Sequence, residues 1–155
     1  MEIPELLSPE AVVSRLKSTS KKQVLHEIAD RAAPVTGLPA GRIFETLIER
    51  ERLGSTGMGQ GIAIPHGHVA GIEKITGLFA QLATPIDFDA TDDQPVDLVF
   101  VLLAPEGAGA DHLKALARVS RLLRNQSVCE KLRAASTPAA LYALLTEPTL
   151  ETQAA

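Results

Sequence analysis

The chain predicts an α/β fold, a β-sheet with helices packed against both of its faces. Three observations carry that expectation. Segments with helical apolar spacing alternate with short runs of strand character. One run, "PVDLVFVLLA" (95–104), is apolar at successive positions, as a strand covered on both sides should be. The 155 residues are enough to bury a single core without disulfides or metal.

Taken in order, "AVVSRLK" (11–17) is short and β-branched and suits a strand, although Ser8-Pro9 is equally a helix opening. Ser20 with Gln23 three residues on forms a capping-box pattern, and Val24, Leu25, Ile28, Ala29 and Ala32 then recur at helical spacing. A helix over 21–33 follows. A second helix starts near Pro39, carries Ile43, Phe44, Leu47 and Ile48 on one face, and stops at Gly54 with Arg50 and Arg52 near its carboxyl end. Residues 58–71 read as a glycine-rich loop. "ITGLFAQLA" (75–83) alternates as a strand, "TPIDFDATDDQ" (84–94) is an acidic turn, and 95–104 is the buried strand. From Asp111 a helix carries Leu113, Leu116, Ala117, Val119 and Leu123 as its apolar stripe. Two short helices follow, the second opened by Ser136-Thr137-Pro138, and residues 149–155 are expected to fray.

Composition excludes several classes. The amino terminus has no basic start, apolar stretch and cleavage site, and no apolar run is long enough for a bilayer, so a cytoplasmic protein without membrane insertion is expected. A net charge of -4, scattered Lys and Arg, and only 3% aromatic residues argue against nucleic acid as a partner. The single cysteine, Cys129, cannot form an internal disulfide and is expected as a buried or half-buried thiol.

The chemistry concentrates in "MGQGIAIPHGHVAG" (58–71). His66 and His68 fall on one side of an extended segment, a spacing that can bind zinc, with Asp111 or His112 as a third ligand. A nucleophile needs fewer parts. A neutral imidazole has a lone pair for phosphorus, and phosphoryl transfer asks mainly for positioning and for donors around the oxygens. Gly57, Gly59, Gly61 and Gly67 would let backbone N–H groups approach a phosphate, Arg50 would offer a planar fork, and Pro65 would restrain the backbone beside His66. His26 lies on the polar side of its helix, with a structural role or none. His112 follows the turn that leaves the buried strand, where α/β sheets build sites.

"RERLGSTGMGQGIAIPHG" (50–67), "LATPIDFDATDDQPVDLVFVLLAP" (82–105) and "DHLKALARVSRLL" (111–123) together resemble the type-2 enzyme IIA domain of the bacterial phosphoenolpyruvate-dependent phosphotransferase system, in its nitrogen-regulatory branch. The likeness treats 1–155 as one domain with a core over about 7–146. It implies a three-layer α/β/α sandwich around a mixed β-sheet and no cofactor. It also implies that His66 accepts a phosphoryl group from a histidine phosphocarrier protein, that Arg50 steadies the phosphate, and that His112 assists. The partners implied downstream are regulatory targets in potassium transport and sensor kinases. Onward delivery to a sugar transporter's next domain is the alternative output, and a metal-dependent enzyme using His66, His68 and His112 is a further one. His68 departs from the family pattern, where lysine is common, and is expected at the rim as a bystander that tunes local charge, with contact to the donor protein or adventitious metal as the lesser alternatives. A homodimer is compatible with the sequence.

Overall fold

The computed structural model describes residues 2–147, so the expected fraying of 149–155 lies outside the described residues. The centre of the fold is the expected buried strand. It runs over Val96–Ala104 with every side chain except that of Asp97 buried, so its two faces must both be covered. The other five strands are β1 (Val12–Leu16), β2 (Gly57–Gly59), β3 (Ile62–Ala63), β4 (His66–His68) and β5 (Thr76–Ile86), which makes the central strand β6.

The sheet is mixed, in the order β1-β5-β6-β3-β2, with β4 also pairing β6. β1 runs parallel to β5, β5 antiparallel to β6, and β3 and β4 both parallel to β6. Ile62 pairs with Leu98 and His66 with Leu102, so β3 and β4 lie along one edge of β6 in a single unbroken register. The gap between them is Ile64-Pro65. Proline has no N–H to give a ladder, but its carbonyl still accepts from Leu102 N at 3.0 Å and keeps the alignment.

Two groups of helices cover the two faces. α2 (Lys21–Thr36) and α3 (Ala40–Leu53) pack together against β5 and β4. α4 (Gly109–Leu123), α5 (Gln126–Ala134) and α6 (Pro138–Thr146) form the other layer against β6 and β1, joined by the short α1 (Ile3–Leu6). The three layers expected from the family resemblance are present. Phe79 and Phe100 meet edge to face at 6.2 Å in the middle of the sheet. Cys129 is buried as expected, its thiol donating to the Leu123 carbonyl at 3.1 Å, and burial pushes its pKa up.

Several boundaries differ from expectation for visible reasons. α2 passes Pro34 and ends three residues later than predicted. Thr36 Oγ1 donates to the Ala32 carbonyl at 2.9 Å, and Gly37, left-handed with φ 75°, donates to Ala33 O, so the last turn is closed despite the proline. The strand reading of 11–17 holds as β1, and Ser8-Pro9 opens only a 3-10 turn over Pro9–Ala11 before it. β5 continues to Ile86, shortening the acidic turn. The glycine-rich loop contains three short strands.

The stripe expected on the helix after Asp111 is rotated. α4 starts at Gly109 and buries His112, Ala115, Val119, Leu122 and Leu123, while Leu113 and Ala117 are exposed and Leu116 is half-buried. Replacing Phe100, fully buried at the sheet centre, with alanine should lower the unfolding free energy by about 3–5 kcal/mol, the usual cost of truncating a core aromatic. Urea denaturation followed by far-UV circular dichroism measures it.

Candidate functional site

β4 alternates its side chains across the sheet. His66 and His68 share one face with α4, and Gly67 points the other way, toward α3. A Cβ on Gly67 would stand 2.7 Å from Thr46 Cγ2, so glycine is what lets α3 lie close against β4. The same holds at Gly57, where a Cβ would meet Ala90 Cβ at 2.8 Å. Gln60 and Gly61 have φ of 57° and 84°, the backbone of a tight hairpin turn between β2 and β3. Gly57, Gly61 and Gly67 thus have packing and turning roles in the fold.

Three imidazoles come together on the α4 side. His66 and His112 lie edge to face with ring centres 5.6 Å apart, and His68 and His112 likewise at 4.6 Å. His66 is half-buried, and its Nδ1 is 2.8 Å from the Ile64 carbonyl. A carbonyl only accepts, so Nδ1 carries the proton and Nε2 keeps the lone pair. Burial lowers the His66 pKa, and the nearby Arg50 and His68 charges add to that, against the Ile64 hydrogen bond, which raises it. His112 is 7% exposed and has its pKa lowered to about 4, first by burial and then by His68 and His66. Both rings are therefore neutral at pH 7.

Arg50 lies with His66 on a cleft of about 370 Å³ that Thr56, Met58, Leu116 and Ser120 help to line. Its Nη1 donates to Gly54 O at 2.9 Å, and it has no ion-pair partner among the described residues, which leaves the rest of its fork available. Leu116 and Ala117, displaced from the packed face of α4, are thus residues of this cleft. Met58, on its lining, is 49% exposed, and elsewhere Leu113 at 68% and Leu53 at 85% are large apolar side chains in solvent. Leu53 closes α3 and Leu113 follows His112.

The neighbour that sequence reasoning missed is Glu51. It is buried, and its carboxylate accepts from Thr56 N at 2.8 Å, Thr56 Oγ1 at 2.7 Å and Lys21 Nζ at 3.2 Å. Lys21 also pairs with Asp89 at 3.1 Å and lies 5.1 Å from the centre of the Phe88 ring. The signal was available: Glu51 continues the apolar stripe of Ile43, Phe44 and Leu47, and a charge on a buried stripe needs a partner.

His68 is exposed, as a rim residue should be, and its Nε2 is 2.8 Å from His112 Nδ1. Two imidazole nitrogens on one tetrahedral zinc stand roughly 3.3 Å apart, wider than this contact, which has the length of a hydrogen bond. Among the described residues no three His, Cys, Asp or Glu side chains are placed to hold a metal ion. Asp111 is exposed at the start of α4, and His26 is exposed and stacked on Phe44 with ring centres 3.6 Å apart, a structural role.

Residues 5–147 match the family described as the phosphoenolpyruvate-dependent sugar phosphotransferase system, EIIA 2. A nitrogen regulatory protein of Bradyrhizobium diazoefficiens is 57% identical over 148 residues, covering 96% of this chain and 97% of its own. The nitrogen regulatory protein of Escherichia coli is 42% identical, with 95% and 91% covered. The crystal structure of the nitrogen regulatory protein IIA-Ntr from Neisseria meningitidis superposes with a TM-score of 0.88 at 39% identity, covering 93% of this chain and 99% of that one. Mannitol IIA from Escherichia coli shares the fold, with a TM-score of 0.76 at 20% identity and 89% and 97% covered. No helix among the described residues is long and apolar enough to cross a membrane.

Two outcomes follow from this geometry. Glu51→Ala should cost about 2–3 kcal/mol, the scale of lost hydrogen bonds to a buried charge, and thermal unfolding reads it. Because the His112 pKa is about 4 when folded and 6.5 by ordinary value, the unfolded chain binds more protons between those limits, so stability should fall as pH drops from 6.5 toward 4. His112→Gln should flatten that slope in denaturation midpoints measured across the window.

Proposed function

Because the chain belongs to the type-2 enzyme IIA family of the phosphoenolpyruvate-dependent sugar phosphotransferase system, we propose that it is a phosphohistidine carrier of the nitrogen-related branch, with His66 as the residue that takes the phosphoryl group. The observation that carries this reading is the state of His66. Its Nδ1 is tied to the Ile64 carbonyl, its lowered pKa leaves it neutral, and it shares a cleft with an arginine that has no carboxylate partner among the described residues.

Neutral His66 attacks through Nε2 the phosphoryl group on a histidine of the phosphocarrier protein. The donor's nitrogen–phosphorus bond breaks as the Nε2–phosphorus bond forms, and the bonding pair returns to the donor imidazole. The His66 ring takes on positive character, which the Nδ1–H shares with the Ile64 carbonyl. Arg50 offers its fork to the equatorial oxygens, and His112, neutral and close, offers a hydrogen-bond donor. These groups come from the chain itself. Met58, exposed on the lining of the cleft, gives the donor an apolar contact there.

Relatives named nitrogen regulatory protein support a regulatory output, with the phosphate changing the charge of this face and hence which proteins dock there. Potassium transport and sensor kinases are the targets that the branch implies. Incubation with phosphoenolpyruvate, the first enzyme of the system and the phosphocarrier should yield one acid-labile phosphate, absent in His66→Ala. Label surviving that substitution would refute the assignment. Arg50→Lys keeps the charge but loses the fork, and should slow labelling about tenfold or more in rapid-quench kinetics.

A further inference from the structure

We propose that His68 is a positioning residue for phosphoryl transfer: it donates its Nε2–H to His112 Nδ1 and so holds His112 in the tautomer whose Nε2–H can meet a phosphoryl oxygen on His66. The inference deepens the proposed function and rests on His66 as the carrier.

Three neighbouring rings have few protons to distribute. The His112–His68 contact, 2.8 Å from Nδ1 to Nε2, needs one hydrogen between two nitrogens, and either ring can supply it. His112 is neutral, so it has a single N–H to place. If that hydrogen sits on Nδ1, pointing to His68, then His112 Nε2 presents a lone pair. If it sits on Nε2, His68 must be the donor. His112 Nε2 is buried and has no protein hydrogen-bond partner among the described residues. Imidazole geometry aims it away from His68, and the His66 ring centre lies 5.6 Å from that of His112. A phosphoryl group presents acceptors only, so a lone pair there would repel it and an N–H would bind it.

His68 is suited to choosing between these states. It is exposed, so it can exchange protons with water, while His112 is enclosed and cannot correct its own tautomer with solvent. Both histidines hang from adjacent structure: His68 pairs with Ala104 at the end of β6, and the chain from there leads into α4 and His112. The donor is thus held against its acceptor by the ladder that also holds His66.

Nitrogen-15 NMR of the unphosphorylated full chain reads the tautomer directly. In the wild type His112 should carry its proton on Nε2, with Nδ1 as the acceptor. His68→Leu removes the donor, and His112 should then populate both tautomers. His68→Gln places an amide N–H at similar reach and should restore the Nε2–H form. Transfer from the phosphorylated carrier should slow roughly tenfold in His68→Leu, the scale of one hydrogen bond to a charged group, and recover in His68→Gln. A wild-type proton on His112 Nδ1, or a His68→Leu variant that transfers at the wild-type rate, overturns the proposal. If the wild type takes no label on His66 from the carrier, the carrier reading fails, and the tautomer measurement still decides the hydrogen bond by itself.

Discussion

The buried carboxylate of Glu51 is the contact on which the site's geometry depends. It sits at the end of α3, where the helix would otherwise leave its last turn free, and binds the first residues of the next segment through Thr56 and the start of α2 through Lys21. One side chain thereby fixes the direction in which the chain leaves α3 and the position of the last helical turn. Arg50 is its neighbour in that turn. A guanidinium on a long stem loses much conformational freedom when it must meet an anion in one orientation. Anchoring its backbone through a buried, fully bonded carboxylate would reduce that cost in the role proposed for Arg50.

Much of the fold was legible because its long elements obey strong periodic rules. The buried strand announced itself by an apolar run with no polar face, and α2, α3 and α6 by caps and spacing that the structure repeats: Ser20 accepts from Gln23 N, and Thr137 from Ala140 N. The strands β2, β3 and β4 were illegible for the opposite reason. Two or three residues cannot display a period, and the stretch from Gly57 to His68 is too rich in glycine to carry strand propensity. The pairing of β3 and β4 is imposed by β6, a partner far along the chain.

The site was legible in its residues and less so in its wiring. The spacing of His66 and His68 placed them on one side, and His112 was recognised at a strand-to-helix turn. What no local pattern could reveal is that the α4 stripe would rotate so as to bury His112 and release Leu113, Leu116 and Ala117. A polar ring on the inner face displaces apolar residues outward, and the helix looks misassigned by hydrophobicity alone. Such a conflict between local pattern and tertiary placement is common where a surface serves chemistry as well as packing.

The position of β6 has a consequence for biosynthesis. The strand at the middle of the sheet is the last of the six to leave the ribosome, so its neighbours emerge with their shared edge missing. Neither the histidine strand nor its partner helix can settle until residue 104 and then residue 112 are made. A truncated or half-translated chain therefore exposes unpaired edges instead of a partly assembled sheet.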